Sequence, residues 1–242
     1  MKKYTLLDIN TYPRREHFAY FSDMANPYAG VTVETDITEL YDWCRKNEVP
    51  FFLSFLYCAG RACNAVAEFR QRIKDGRIIE FESCDTSHTV MRTDGTYGYC
   101  RLDCMRPFDE FLPYASKLHE EAKQGNTLDG GDDELELIFV SCLPWLHYTA
   151  LAQPTPTPAD SNPRVTWGKY VKNNDGHVSL PVTVLVNHAL ADGAHIAGFY
   201  SALQSEIKML FLILSNSVEC FQLPLYECIP SVLSVVLSFL VA

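Results

Sequence analysis

The chain has 242 residues, 48% hydrophobic and 21% charged, enough apolar material for one large domain or two small ones and too little charge for a disordered chain. Its formal net charge of -10 excludes the broad basic face that non-specific nucleic-acid binding requires, so no nucleic-acid partner is expected, though a local basic groove for a phosphate-bearing cofactor stays open. Nine cysteines lie at irregular positions, with no CxxC pair, and read as reduced, mostly buried thiols in a reducing compartment.

The N-terminus carries Lys2 and Lys3 but no long apolar run after them, so it does not read as a signal peptide and a cytoplasmic location is expected. Residues 4–21 suggest a short strand and a helix start. Residues 28–37 alternate apolar and polar side chains, which predicts a strand with one buried face. Asp36 is expected to open an amphipathic helix through Leu40, Tyr41 and Trp43. Residues 51–69 are apolar on most sides and predict a buried helix with Phe51, Phe55, Cys58 and Cys63 inside. Strands are expected at 77–83, 87–92 and 97–103, with a turn at Thr93-Asp94-Gly95. Residues 107–124 place Phe108, Phe111, Leu112, Ala115 and Leu118 on one helical face. A loop at 125–133, an apolar strand over 135–144 and a proline-rich loop at 154–164 come next. Residues 165–190 predict a hairpin that turns at Asn173 to Gly176, and an amphipathic helix follows. Strands and helices mix without strict alternation, which predicts an α/β (α+β) two-layer sandwich.

From Leu210 to Ala242 there is no lysine or arginine, and Glu219 and Glu227 are the only acids. The run from Ile229 is shorter than the roughly 20 residues of a membrane span. Extended back to Leu210 it is long enough but would bury both glutamates and Asn216. Residues 1–210 are therefore taken as the domain and 211–242 as an apolar C-terminal extension. Membrane contact, packing on the core, a poorly ordered extension and a tail foreign to the domain are its four readings.

The segment that carries chemistry is Val182 to Gly193. A strongly apolar strand delivers His188 at its end, Asp192 follows four residues later, and Gly193 permits a tight turn into the next helix. Imidazole titrates near neutrality and suits general-base work, and a hydroxyl needs such a base before it attacks an acyl group. A carboxylate at Asp192 can bond the imidazole directly or pair with a cation and hold the loop. A histidine satisfied at a strand terminus is the bland alternative. A metal site built from His188, Asp192 and His195 is another, although no further ligand cluster accompanies it.

Six stretches in the same chain bear on this choice: Pro13-Arg14-Arg15-Glu16-His17-Phe18; Thr35-Asp36-Ile37-Thr38; Glu68-Phe69-Arg70 with Ile73-Lys74-Asp75-Gly76; Ser141-Cys142-Leu143-Pro144-Trp145; Thr166-Trp167-Gly168-Lys169-Tyr170; and His188-Ala189-Leu190-Ala191-Asp192-Gly193. In order and spacing they closely resemble the chloramphenicol acetyltransferase family over roughly residues 4–210. The resemblance implies that family's fold and transfer of acetyl from acetyl-CoA to a hydroxyl of chloramphenicol or a related small molecule, with no metal. It implies His188 as the base. Asp192 would be structural, paired with Arg14, and Ser141 would donate to the tetrahedral oxyanion. Thr166 would hold a water near it, and Lys169 and Tyr170 would lie beside coenzyme A. A homotrimer follows, with sites between subunits.

Several positions depart from the family pattern. Asn187 stands where a first histidine is usual, Phe21 replaces a pocket tyrosine, and Ala25 replaces a larger apolar residue. The stretch Thr93 to Tyr99 is one residue short, and Tyr97 or Tyr99 would supply the pocket aromatic. The proline-rich segment from His147 to Arg164 matches poorly. These changes bear on the acceptor, because losing one hydrogen-bond partner can cost much of the discrimination. Two other readings share the scaffold: an acyltransferase of the dihydrolipoyl type and a non-catalytic trimeric binding protein. The lack of an N-terminal lipoyl segment speaks against the first, and retention of His188, Ser141, Asp192 and Arg14 against the second.

Overall fold

The computed structural model describes residues 2–125 and 134–222, with side chains through Ser215 in the last helix. The run from Ile229 to Ala242 lies outside the described residues, as does most of the loop expected at 125–133. In chain order the elements are β1 (Tyr4–Leu6), α1 (Arg15–Ser22), β2 (Tyr28–Asp36), α2 (Thr38–Lys46), α3 (Phe51–Ala65), α4 (Ala67–Arg70), β3 (Gln71–Lys74), β4 (Arg77–Phe81), β5 (Asp85–Met91) and β6 (Tyr97–Leu102). Then come α5 (Phe108–Gln124), β7 (Leu137–Leu143), β8 (Arg164–Gly168), β9 (Val171–Lys172), β10 (Val178–Asn187) and α6 (Gly193–Gln222).

The main sheet runs β2-β10-β8-β7-β5-β6, with β9 also beside β10. It is mixed: β5–β7 and β7–β8 are parallel, and the other pairs are antiparallel. β1, β4 and β3 form a small antiparallel sheet. β10 lies between β2 and β8, and Val178, Leu180, Val182, Val184 and Val186 are all buried. Its near-continuous apolar run is what a strand enclosed on both faces requires.

A helical layer covers the sheet. α3 is its centre, with Phe55, Leu56, Cys58, Ala62 and Cys63 fully buried and α2, α5 and α6 packed around it. At Gly60 the helix approaches β5 so closely that a Cβ would sit 2.6 Å from Cys104 Sγ and 2.9 Å from Thr86 Cγ2; only glycine permits that approach. α6 buries Ile196, Phe199, Leu203, Ile207, Leu210 and Leu214 at helical spacing. The helix passes residue 210 without a break. Its segment Gly193–Ser215 is long and apolar enough to cross a membrane, yet the buried stripe just named packs into the core.

Four local expectations are corrected. The helix expected over 51–69 ends at Ala65, because Val66 turns extended before α4. There the Asn64 side chain donates to the Gly60 and Cys84 carbonyls and accepts the Cys84 N–H, tying the helix end to the chain before β5. Phe51 is half-buried rather than inside, with its ring against Tyr41, Phe55 and Tyr170. α2 begins at Thr38, and Asp36 instead accepts the Thr38 N–H at 2.9 Å. β3 was not expected; it exists because Ile73 and Lys74 turn at Asp75-Gly76 and pair with β4. The described cysteines are all free thiols, six of them buried.

Candidate active site

β10 ends at Asn187, and the chain then leaves the sheet on fixed hydrogen bonds. Asn187 Nδ2 donates to the Asp160 carbonyl at 2.9 Å and its Oδ1 accepts the Ala189 N–H at 3.0 Å. The His188 N–H donates to the Pro27 carbonyl at 2.6 Å. The His188 ring is half-buried and stacks on Phe21 with centroids 4.0 Å apart and an interplanar angle of 18°. Its Nδ1 lies 2.9 Å from the Ala191 carbonyl oxygen. A carbonyl only accepts, so this contact puts the proton on Nδ1 and leaves the Nε2 lone pair free.

The loop beneath the ring is held by charge. Buried Arg14 pairs with Asp192 and donates from Nη2 to the His188 carbonyl at 2.9 Å. Asp192 Oδ1 accepts the Ala194 N–H at 3.0 Å and lies 2.8 Å from His195 Nδ1. His195 Nε2 faces Glu68 at 3.4 Å. Of the two uses left open for Asp192, the pairing with a cation is the one formed. Among the described residues no group of three or more His, Cys, Asp or Glu side chains is placed to hold a metal.

Burial alone would raise the Asp192 carboxyl. The Ala194 N–H, Arg14 and His195 outweigh it and hold the group below its ordinary 3.8. A depressed carboxylate contributes stability that is present above its unfolded pKa and lost as pH falls through the folded value. The loop is therefore expected to loosen below about pH 4. The protection factor of the Ala194 amide should fall in that range for the wild type, and D192A, which removes the acceptor of the Ala194 N–H, should show low protection already at pH 7.

A second cluster lies further along the sheet. Ser141 on β7 and Thr166 on β8 are Cα partners. Ser141 Oγ lies 3.4 Å from Thr89 Oγ1 of β5. Thr166 Oγ1 donates to Gln153 Oε1 at 3.3 Å, and Tyr148 donates its hydroxyl to the Thr166 carbonyl at 2.9 Å. Two cavities meet here and share Thr89 and Ser141. The smaller, of about 350 Å³, has a mixed lining in which Ser87, Gln153, Arg164 and Thr166 stand beside Leu137 and Phe139. The larger, of about 950 Å³, is mostly apolar, with Trp145, Trp167, Lys169 and Tyr170 in its walls. Tyr170 is braced by Tyr41, with ring centroids 4.6 Å apart.

His188 borders neither cavity. Thr166 pairs with Thr183 of β10, and His188 lies five residues further along. At about 3.4 Å per residue that is roughly 17 Å, with two strand spacings of about 10 Å still to cross to Ser141. The two expected pocket aromatics are also apart. Phe21 stays with His188, whereas half-exposed Tyr97 lines the larger cavity and meets Tyr99 edge-on at 5.8 Å. Ala25 is exposed between α1 and β2.

Residues 2–204 match the family model described as chloramphenicol acetyltransferase. The chain belongs to the chloramphenicol acetyltransferase family. A chloramphenicol acetyltransferase from Klebsiella sp is 31% identical over 208 residues, covering 83% of this chain and 92% of the relative. One from Escherichia coli is 31% identical over 214 residues with the same coverage. A solved chloramphenicol acetyltransferase superposes with a TM-score of 0.77 at 24% identity, over 85% of this chain and 100% of that one. The cubic core of a pyruvate dehydrogenase multienzyme complex shares the fold at a TM-score of 0.59 and 18% identity, over 81% of this chain and 88% of that one. As a member of the chloramphenicol acetyltransferase family, the chain is an acyltransferase, and its mixed-sheet sandwich is the fold of CoA-dependent acyltransferases.

Several residues at the site were not anticipated from sequence: Thr89, Tyr148, Gln153 and the carbonyls of Pro27 and Ala191. Thr89 reaches Ser141 only because β5 lies parallel beside β7, some fifty residues on in the chain. A backbone carbonyl carries no residue-type signal.

Proposed function

We propose that this chain is an acetyl-CoA-dependent O-acetyltransferase that acts as a homotrimer on a small hydroxyl compound, chloramphenicol or a relative, with His188 as general base. The observation that carries the reading is the His188 contact to the Ala191 carbonyl, which leaves Nε2 as the one ring nitrogen able to take a proton. His188 Nε2 removes the acceptor's hydroxyl proton as that oxygen attacks the thioester carbonyl carbon. Ser141 donates a hydrogen bond to the oxyanion, and Thr166 holds a water beside it. The carbon–sulfur bond then breaks, and the imidazolium returns its proton to the departing thiolate. Arg14 and Asp192 act on the backbone around His188 and touch no reacting atom. Lys169 suits a phosphate, and Tyr170 offers a flat ring for the adenine.

The separation of His188 from Ser141 within one chain favours a site shared between copies. The edge strand β2 supports the same reading: it is nine residues long, with Val31 and Val33 exposed, and an edge of that kind calls for cover. Phe21 of one copy and the smaller cavity of the next would then enclose the acceptor.

A thiol-release assay tests the function. With acetyl-CoA and a panel of alcohols that includes chloramphenicol, release should depend on the alcohol. Formation of S-acetyl-dihydrolipoamide with no O-acetylated product, followed by mass spectrometry because that transfer leaves the thiol count unchanged, would instead support the dihydrolipoyl type. No release with any acceptor would leave only a binding protein on the same scaffold.

A further inference from the structure

His88 and His119 form a pair that the proposed chemistry does not use. His88 on β5 is fully buried. Its Nε2 lies 3.0 Å from His119 Nδ1 on α5, and the two rings stack with centroids 5.3 Å apart at 12°. Phe52 packs on both rings, with centroids 5.3 and 5.7 Å away, and on Trp167 at 5.4 Å. Burial pushes His88 down to about 3, and burial with Lys123 lowers His119. Both rings are neutral at pH 7, so one N–H is shared between the facing nitrogens. Nδ1 of His119 is thereby committed, and Nε2, on the far edge of the ring, is left over.

His119 lines the larger cavity, whose walls are otherwise mostly apolar side chains such as Phe51, Phe52, Leu53, Val90 and Trp167. In a site of that kind a few fixed polar groups set the ligand's orientation. A chain carrying secondary amides pays a desolvation penalty there unless each amide finds a partner. A secondary amide offers both an N–H and a carbonyl oxygen, so it pairs with His119 Nε2 in either tautomer.

We propose that His119 binds the acyl donor, its Nε2 hydrogen-bonding an amide of a thioester-bearing chain laid in the larger cavity, and that His88 is the positioning residue that fixes its ring. The proposal rests on the reading that this cavity takes the acetyl-CoA arm. The test is steady-state kinetics on the full chain with acetyl-CoA and chloramphenicol. H119F keeps the ring volume and removes Nε2; it should raise KM for acetyl-CoA about five- to tenfold, the worth of one neutral hydrogen bond, with kcat and acceptor KM within about twofold. H119Q should bring KM back to within about threefold of wild type, since its amide can still pair. An unchanged acetyl-CoA KM in H119F beside an active wild type would overturn the proposal and leave the pair as packing between α5 and the sheet. A wild type without acetyl-CoA turnover would instead overturn the underlying reading. If H119F does not fold, the wild type still decides: saturation with CoA should shift the His119 Nε2 nitrogen resonance, and no shift refutes the contact.

Discussion

Replacing His188 with alanine should lower kcat by about 10²–10⁴, the usual loss for a general base. The affinity for acetyl-CoA should be retained, because the side chains proposed to hold the donor, Lys169 and Tyr170 in the larger cavity, are untouched by the change. Folding should survive. The ring is half-buried, and its main packing partner is one face of Phe21, a contact worth about 1 kcal/mol. The Arg14 anchor grips the His188 carbonyl rather than its side chain, so the loop stays in place in the variant. Single-turnover thiol release and a thermal melt measured side by side check this. A normal rate in H188A would remove the base assignment, and a collapsed melt with lost binding would show that the ring's role is architectural.

Ser141→Ala should cost about 10²–10³ in kcat, the range for one oxyanion donor, with KM for both substrates little changed. An interaction formed only in the transition state lowers kcat and kcat/KM together, whereas a ground-state contact appears in KM. Thr89 makes this site more legible still. Its hydroxyl lies 3.4 Å from Ser141 Oγ, and a threonine that accepts or donates there biases the serine rotor. Thr89→Val should therefore repeat a small part of the Ser141→Ala defect, again in kcat.

Much of the site was legible because its signals are local. The apolar run that becomes β10, the His188-to-Gly193 spacing and the turn into α6 lie within one short stretch, so periodicity and residue type alone put the imidazole at a strand end. Arg14 is 178 positions from Asp192, and no spacing rule links them; only the family resemblance suggested the pair. The mixed sheet order follows from pairings such as β5 with β7 and β7 with β8, which are set by burial across the whole domain and leave no local trace. The same holds for His88 and His119. One sits in a strand buried along almost its whole length and the other on a helix, and neither position alone distinguishes a partner from a packing residue. The break after Ala65 leaves no sequence signal for the opposite reason: the apolar pattern runs straight through it, and Asn64 there ties the helix end to the backbone at Cys84.

The central claim is that a base from one copy works with an oxyanion donor from the next. Complementation between two dead variants tests it directly. H188A and S141A chains, co-expressed in equal amounts and purified together, form mixed trimers. If sites are shared around a closed three-fold ring, about a quarter of them pair an intact His188 with an intact Ser141, and that share of wild-type activity should return. If each chain carries its own whole site, every chain in the mixture is crippled, and activity no higher than that of the separate variants would contradict the account.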